Sequence, residues 1–144
     1  MNTILTKDAI RLSGSASTKE EAIAEVGAML VSVGAVTTEY VDAMFARESS
    51  VSTYMGNLLA IPHGTNDSKD HIRHSAIAVV RYDSPLDWDG NPVRFVIGIA
   101  GQGDSHLEVL GKIAMVFSDM TSVDALLEAH SVSEVASILG KPSE

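Results

Sequence analysis

The chain has 144 residues, no cysteine, and a formal charge of −9 from 10 basic and 19 acidic side chains. That length suits one ordinary domain, able to bury roughly 70% of the surface its unfolded form exposes, and the mix of 45% hydrophobic and 20% charged residues is that of a globular protein. The acidic balance argues against general binding to a nucleic-acid backbone, and the missing cysteines exclude a disulfide framework, a thiolate zinc site and a cysteine nucleophile.

Met1 to Asp8 lacks the basic and apolar regions of a secretory signal. No apolar run approaches the ~20 residues that span a bilayer, so the expected location is the cytoplasm, without membrane insertion. Residues 1–17 read as a lead-in, with Ile4, Leu5, Ile10 and Leu12 available to a core. Thr18 and Glu21 have the spacing of a capping box. Ile23, Val26, Leu30 and Val33 then follow at helical spacing up to Gly34. A second helix is expected over 38–47, burying Tyr40, Val41, Met44 and Phe45.

The run from Leu58 to Ile61 reads as a short strand that ends in Pro62-His63-Gly64. Residues 65–74 are polar and read as a surface loop. Residues 76–82 form a strand that Ser84-Pro85 is expected to stop, and Asp87 to Pro92 is a turn centred on Asp-Gly or Gly-Asn. Residues 93–100 are almost all apolar, which implies a strand buried on both faces. A helix begins at Asp104 or Ser105, with Ser105 and Glu108 as a capping box and Leu107, Leu110, Ile113, Ala114 and Phe117 as its buried stripe. Two short helices follow, one over 121–130 and one capped by Ser131 and Glu134 and ended by Gly140 and Pro142. Alternation of helices with apolar strands defines an α/β domain with helices on both faces of a central sheet. No helical crossover separates strands 76–82 and 93–100, so the sheet is expected to be mixed.

Four sets of residues are candidates for chemistry. Pro62 fixes its own φ and favours extended backbone at Ile61, and Gly64 frees the chain to turn, so His63 sits at a rigid strand end. Such a histidine is equally an ordinary loop residue. His106 falls in the first turn of its helix, where the dipole favours an anion and a neutral imidazole; by itself it is also a plain helix-end histidine. Arg47, near a helix C-terminus, offers a fork of donors suited to phosphate, and is also a common helix-ending charge. His71 and His74, with Asp67 and Asp70, have metal-ligand spacing but no apolar supporting stripe. Asp104-Ser105-His106 are sequence neighbours and cannot form a catalytic triad. Gly98, Gly101 and Gly103 fit neither a dinucleotide nor a P-loop fingerprint.

Three ordered blocks carry a more specific signal: Arg47-Glu48, then Gly56-Asn57 leading to Ala60-Ile61-Pro62-His63-Gly64-Thr65, then Val96 to Ala100 with Asp104-Ser105-His106-Leu107-Glu108-Val109-Leu110. Together they resemble the IIA domain of the bacterial phosphoenolpyruvate-dependent sugar phosphotransferase system, in the mannitol/fructose class and nearest its mannitol branch, over nearly the whole chain. The resemblance implies a mixed, about five-stranded sheet between helices. It implies that His63 is phosphorylated by the carrier HPr and passes the group to a cysteine of a IIB domain, with Arg47 and His106 stabilising the phosphoryl group. No cofactor or metal is implied. Leu58 departs from the pattern, standing where a second glycine is frequent. A IIA-type regulatory module, whose phosphorylation state controls a partner protein, is the alternative role, and a metal-dependent hydrolase using His71 and His74 is a third.

Overall fold

The computed structural model describes residues 5–101 and 107–139. In chain order these form β1 (Leu5–Arg11), α1 (Lys19–Ser32), α2 (Thr38–Ser50), β2 (Tyr54–Gly56), β3 (Leu59–Ala60), a 3-10 helix (Asn66–His71), β4 (Ala76–Trp88), β5 (Asn91–Ala100), α3 (Leu107–Phe117), α4 (Met120–Glu128) and α5 (Val132–Ile138). The five strands make one sheet in the order β1-β4-β5-β3-β2. β1 pairs parallel with β4 and β3 parallel with β5, whereas β4–β5 and β2–β3 are antiparallel. The expected mixed sheet is therefore present. Its antiparallel pairs are the two joined by short turns, as backbone geometry requires.

Asp89 and Gly90 carry the central turn, both with positive φ (55° and 94°). This is the two-residue type I′ geometry, whose twist matches that of the strands it joins. Lys19 at the start of α1 reaches across to this turn, its Nζ lying 2.8 Å from Asp89 Oδ1. β4 does not stop at Ser84-Pro85 but runs on to Trp88. Arg81 faces Phe95 and Leu86 faces Val93, so the surplus residues of β4 bulge out around Pro85. A proline without an N–H is tolerated in a strand at such a bulge.

Alternation along β4 and β5 sends side chains into two cores. Ala76, Ala78, Val80 and Tyr82, with Val96 and Ala100, face α1 and α2. Ile77, Val79, Phe95, Ile97 and Ile99 pack with residues of α3, α4 and α5. Ile77 and Ile97 are fully buried, and each such side chain contributes roughly 1.5–3 kcal/mol of transfer free energy. Phe95 meets Phe117 of α3 edge to face, with ring centroids 5.4 Å apart. Gly98 lets α1 settle on β5, since a Cβ there would lie 2.8 Å from Val26.

Helix ends follow their sequence signals closely. Ser131 and Glu134 form the reciprocal capping box of α5. Thr18 caps α1 by accepting from the Glu21 N–H, but the Glu21 carboxylate reaches one residue further back, to the Ser17 N–H and hydroxyl. The proposed cap of Ser105 with Glu108 lies outside the described residues. In α3, Ile113 and Phe117 are buried, but Leu107 is 53% exposed and Ala114 also faces outward, so the apolar stripe is wider than the face the core covers.

Candidate functional site

The β2–β3 hairpin delivers the candidate histidine to the sheet. Its turn residues Asn57 and Leu58 both have positive φ (50° and 73°), again the type I′ arrangement, in which the second place is usually glycine. Leucine in that conformation costs about 1–2 kcal/mol. The turn is secured by Asn57, whose side-chain amide donates to the Phe117 carbonyl at 2.7 Å. Leu58 also packs against the second core. β3 then runs beside β5, pairing Leu59 with Phe95 and Ala60 with Val96.

Beyond β3 the chain stays beside β5 as far as His63, which makes a parallel bridge with Ile99. The Ile99 N–H donates to the Pro62 carbonyl at 3.0 Å. His63 is half-buried, and its Nδ1 lies 2.8 Å from the Ile61 carbonyl oxygen. A carbonyl only accepts, so Nδ1 carries the proton and the lone pair belongs to Nε2. The imidazole is thus held in the tautomer that presents Nε2 as a nucleophile.

Gly64 is glycine for want of space. Its φ is not positive, contrary to the conformational role that the sequence suggested. A Cβ would sit 2.5 Å from both Ser68 Oγ and Tyr40 Cε1. The Gly64 N–H donates to the Tyr40 hydroxyl at 2.9 Å, and that hydroxyl donates to the Ile99 carbonyl at 2.8 Å. Burial raises the Tyr40 pKa, an effect the Gly64 hydrogen bond only partly offsets, and the phenol keeps its proton.

His63 opens into a depression of about 220 Å³ lined also by Tyr40, Ile61, Thr65, Lys69, Ile72, Ile99 and Leu110. Lys69 brings a cation to this wall from the 3-10 helix. Nothing in the sequence singles it out, because it lies in a polar stretch with no motif of its own. That stretch is not a simple surface loop: Ser68 and Ile72 are buried beneath the site. Tyr40 was legible as a buried helix residue, but its contact with the histidine strand was not.

Arg47 lies half-buried in the last turn of α2, and its Nη1 donates to the Val51 carbonyl at 2.6 Å, closing the end of that helix. It is not among the residues lining the depression. His106, with Asp104 and Ser105, lies outside the described residues. His71 ends the 3-10 helix and His74 follows it. Among the described residues no group of three or more His, Asp or Glu side chains is placed to hold a metal ion, and no helix is long and apolar enough to cross a membrane.

The fold is a mixed five-stranded sheet with one oriented imidazole beside a partly apolar depression, and the family model "Phosphoenolpyruvate-dependent sugar phosphotransferase system, EIIA 2" matches residues 3–141. The chain belongs to this family of IIA components. Among its relatives, the mannitol-specific phosphotransferase enzyme IIA component of Halalkalibacterium halodurans is 49% identical, over 99% of this chain and 98% of that protein. Two solved structures from Escherichia coli share the fold. Enzyme IIA-mannitol in its complex with phosphorylated enzyme IIB-mannitol has a TM-score of 0.87 at 33% identity, covering 96% of this chain and 98% of that one. The crystal structure of IIA mannitol has a TM-score of 0.85 at 35% identity, covering 94% and 99%.

Proposed function

We propose that the protein is a single IIA domain, located in the cytoplasm, that carries phosphoryl groups for the uptake of mannitol or a similar polyol. His63 Nε2 attacks the phosphorus of phosphohistidine on HPr, forming an N–P bond as the donor's N–P bond breaks. A cysteine thiolate of a IIB domain then attacks the same phosphorus, forming an S–P bond as the His63 Nε2–P bond breaks and returning His63 as a neutral imidazole that has kept its Nδ1 proton. The observation that carries this reading is the Nδ1 contact with the Ile61 carbonyl, which leaves the nucleophilic lone pair on Nε2, on a ring that lines an open depression. Transfers of this kind depend on in-line positioning and charge stabilisation, and between protein side chains they call for no nucleotide, cofactor or metal.

Lys69 on the wall of the depression supplies positive charge to an otherwise acidic protein. Arg47 and His106, which match the stabilising positions of the family, are assigned the same task. A protein acceptor is further supported by Leu107 and Met115 on α3, which are 53% and 74% exposed on the helix whose Leu110 lines the depression. Large apolar side chains left in water on an element that borders a site suit docking to another protein. The mannitol specificity of the relatives supports the choice of polyol.

The test is incubation with phosphoenolpyruvate, enzyme I and HPr, followed by mapping of acid-labile phosphate and a chase with mannitol-type and fructose-type IIB domains. Label on His63 that passes preferentially to the mannitol-type IIB is expected. Label on another residue sinks the assignment of His63, and preferential transfer to the fructose-type IIB sinks the assignment of the sugar.

A further inference from the structure

We propose that Tyr40 is a positioning residue for phosphoryl transfer, its hydroxyl holding the chain open immediately behind His63. The proposal rests on His63 being the acceptor. In a parallel strand pair, a residue directs its N–H to the residue before its partner and its carbonyl to the residue after it. Ile99 follows the first half of this rule towards Pro62, with the N–H bond at 3.0 Å. The second half would carry the Gly64 N–H to the Ile99 carbonyl.

On that rung stands the Tyr40 hydroxyl, accepting from Gly64 at 2.9 Å and donating to Ile99 at 2.8 Å. It works as a spacer, so the histidine strand leaves β5 just after His63, and the fork faces the depression that His63, Gly64, Ile99 and Tyr40 share. The contact is built closely. Tyr40 is only 3% exposed, and its ring edge occupies the space that a side chain at position 64 would need. Its proton is retained, so the hydroxyl serves one backbone group as acceptor and the other as donor.

His63 is therefore held at two points: its ring from the front, through Nδ1 and the Ile61 carbonyl, and its backbone from behind, through Tyr40. The first alone fixes the tautomer, and the second fixes where Nε2 points. Misplacing a reacting atom by about 1 Å costs on the order of 100-fold in rate.

Tyr40→Phe keeps the ring and deletes the spacer. Full-length wild-type and variant chains are phosphorylated by phospho-HPr at varied concentration under rapid quench, and the His63 ring nitrogens are followed by NMR. We expect kcat to fall on the order of 10- to 100-fold, with KM for phospho-HPr within about twofold and the ring keeping its Nδ1–H tautomer, since the Ile61 carbonyl is untouched. An unchanged kcat overturns the proposal, as does a loss expressed wholly in KM. Should Tyr40→Phe fail to fold, 3-fluorotyrosine at position 40 weakens the hydroxyl as an acceptor without emptying the site. It must lower kcat and leave KM in place; an unchanged kcat again overturns the proposal. Wild-type chain is scored first, since absence of label at its His63 refutes the acceptor assignment and so is told apart from a failure of the Tyr40 arm.

Discussion

Glu48 is 6% exposed and offers the sharpest test of how the site is braced. Its Oε2 accepts the Thr53 N–H and the Trp88 Nε1–H, each at 3.0 Å, and its Oε1 accepts the Thr53 hydroxyl at 2.5 Å. These bonds tie the end of α2 to the chain entering β2 and to the fully buried Trp88 of β4. Glu48→Ala strands two fixed N–H donors, because the hydroxyl can rotate to another partner and they cannot. At roughly 1–3 kcal/mol for each unpaired buried donor, and with some relief from water in the vacated space, the loss should be about 3 kcal/mol. For a chain of this size that corresponds to a fall in Tm of about 10 °C. Glu48→Gln turns its carbonyl oxygen to the two N–H donors and its amide to the Thr53 hydroxyl, which then accepts, so the loss should be about 1 kcal/mol. Urea unfolding with matched m-values, together with calorimetry, measures both. Glu48→Ala within about 1 kcal/mol of wild type refutes the brace. A glutamine variant as unstable as the alanine one shows that charge, and not hydrogen-bond geometry, is what the cluster requires.

Three other changes probe separate parts of the fold. Gly64→Ala drives a methyl against Tyr40 and Ser68, and should cost about 1–3 kcal/mol and abolish rapid labelling of His63 by phospho-HPr; a fully labelled, stable variant counts against the packing argument. Asn57→Ala loses both the bond to the Phe117 carbonyl and a residue tolerant of positive φ, so chemical denaturation should show a loss of about 1–2 kcal/mol. Burial alone would raise the Glu25 pKa, but hydrogen bonds from Tyr82, Ser15, Arg11 and Ala16 outweigh it and hold the carboxyl below its ordinary 4.5. The resulting stability is complete above pH 4.5 and lost as pH falls through the lowered native value; Glu25→Gln should therefore flatten the acid limb of the stability curve, and an unchanged limb would contradict the assignment.

What the sequence discloses of this fold depends on how local the physics is. The α5 capping box, the Asp89-Gly90 turn and the doubly buried β5 are set by neighbours in the chain, and all are found where the residues place them. β1 falls within the stretch expected to be a lead-in: Lys7, Asp8 and Arg11 interrupt its apolar residues, as an edge strand permits, and hide the period of a strand. β2 has only three residues, too few for a periodic signal. Arg81 shows the same limit in a side chain: mid-strand by sequence, it caps the end of α4, with Nη1 at 2.9 Å from the Leu126 carbonyl and 2.8 Å from that of Ala129. In the site, Pro62-His63-Gly64 marked the histidine correctly as the end of a strand-like segment. The tautomer depends on how the ring folds back onto the Ile61 carbonyl two residues earlier, which no residue pattern announces, and the hydroxyl on the Gly64 rung and the cation of Lys69 arise from contacts between elements.

The Ile61 carbonyl gives the proposed relay a property that no side chain would give as simply. In the resting protein it accepts from Nδ1–H and so selects the ring form with a nucleophilic Nε2. When Nε2 gains a phosphoryl group, the ring shares positive charge and Nδ1–H becomes the stronger donor to the same carbonyl, as charge-assisted hydrogen bonds are stronger than neutral ones. A carboxylate in that place would bind the charged ring more tightly still, and a deep intermediate gives up its phosphoryl group slowly. A backbone carbonyl, by contrast, orients the ring in both states and stabilises the charged one only moderately. It also cannot take up the proton, so the tautomer is preserved through the cycle. A carrier must accept and release with comparable ease, and a neutral acceptor fixed by Pro62 and the β5 ladder meets that requirement at the one atom where it matters.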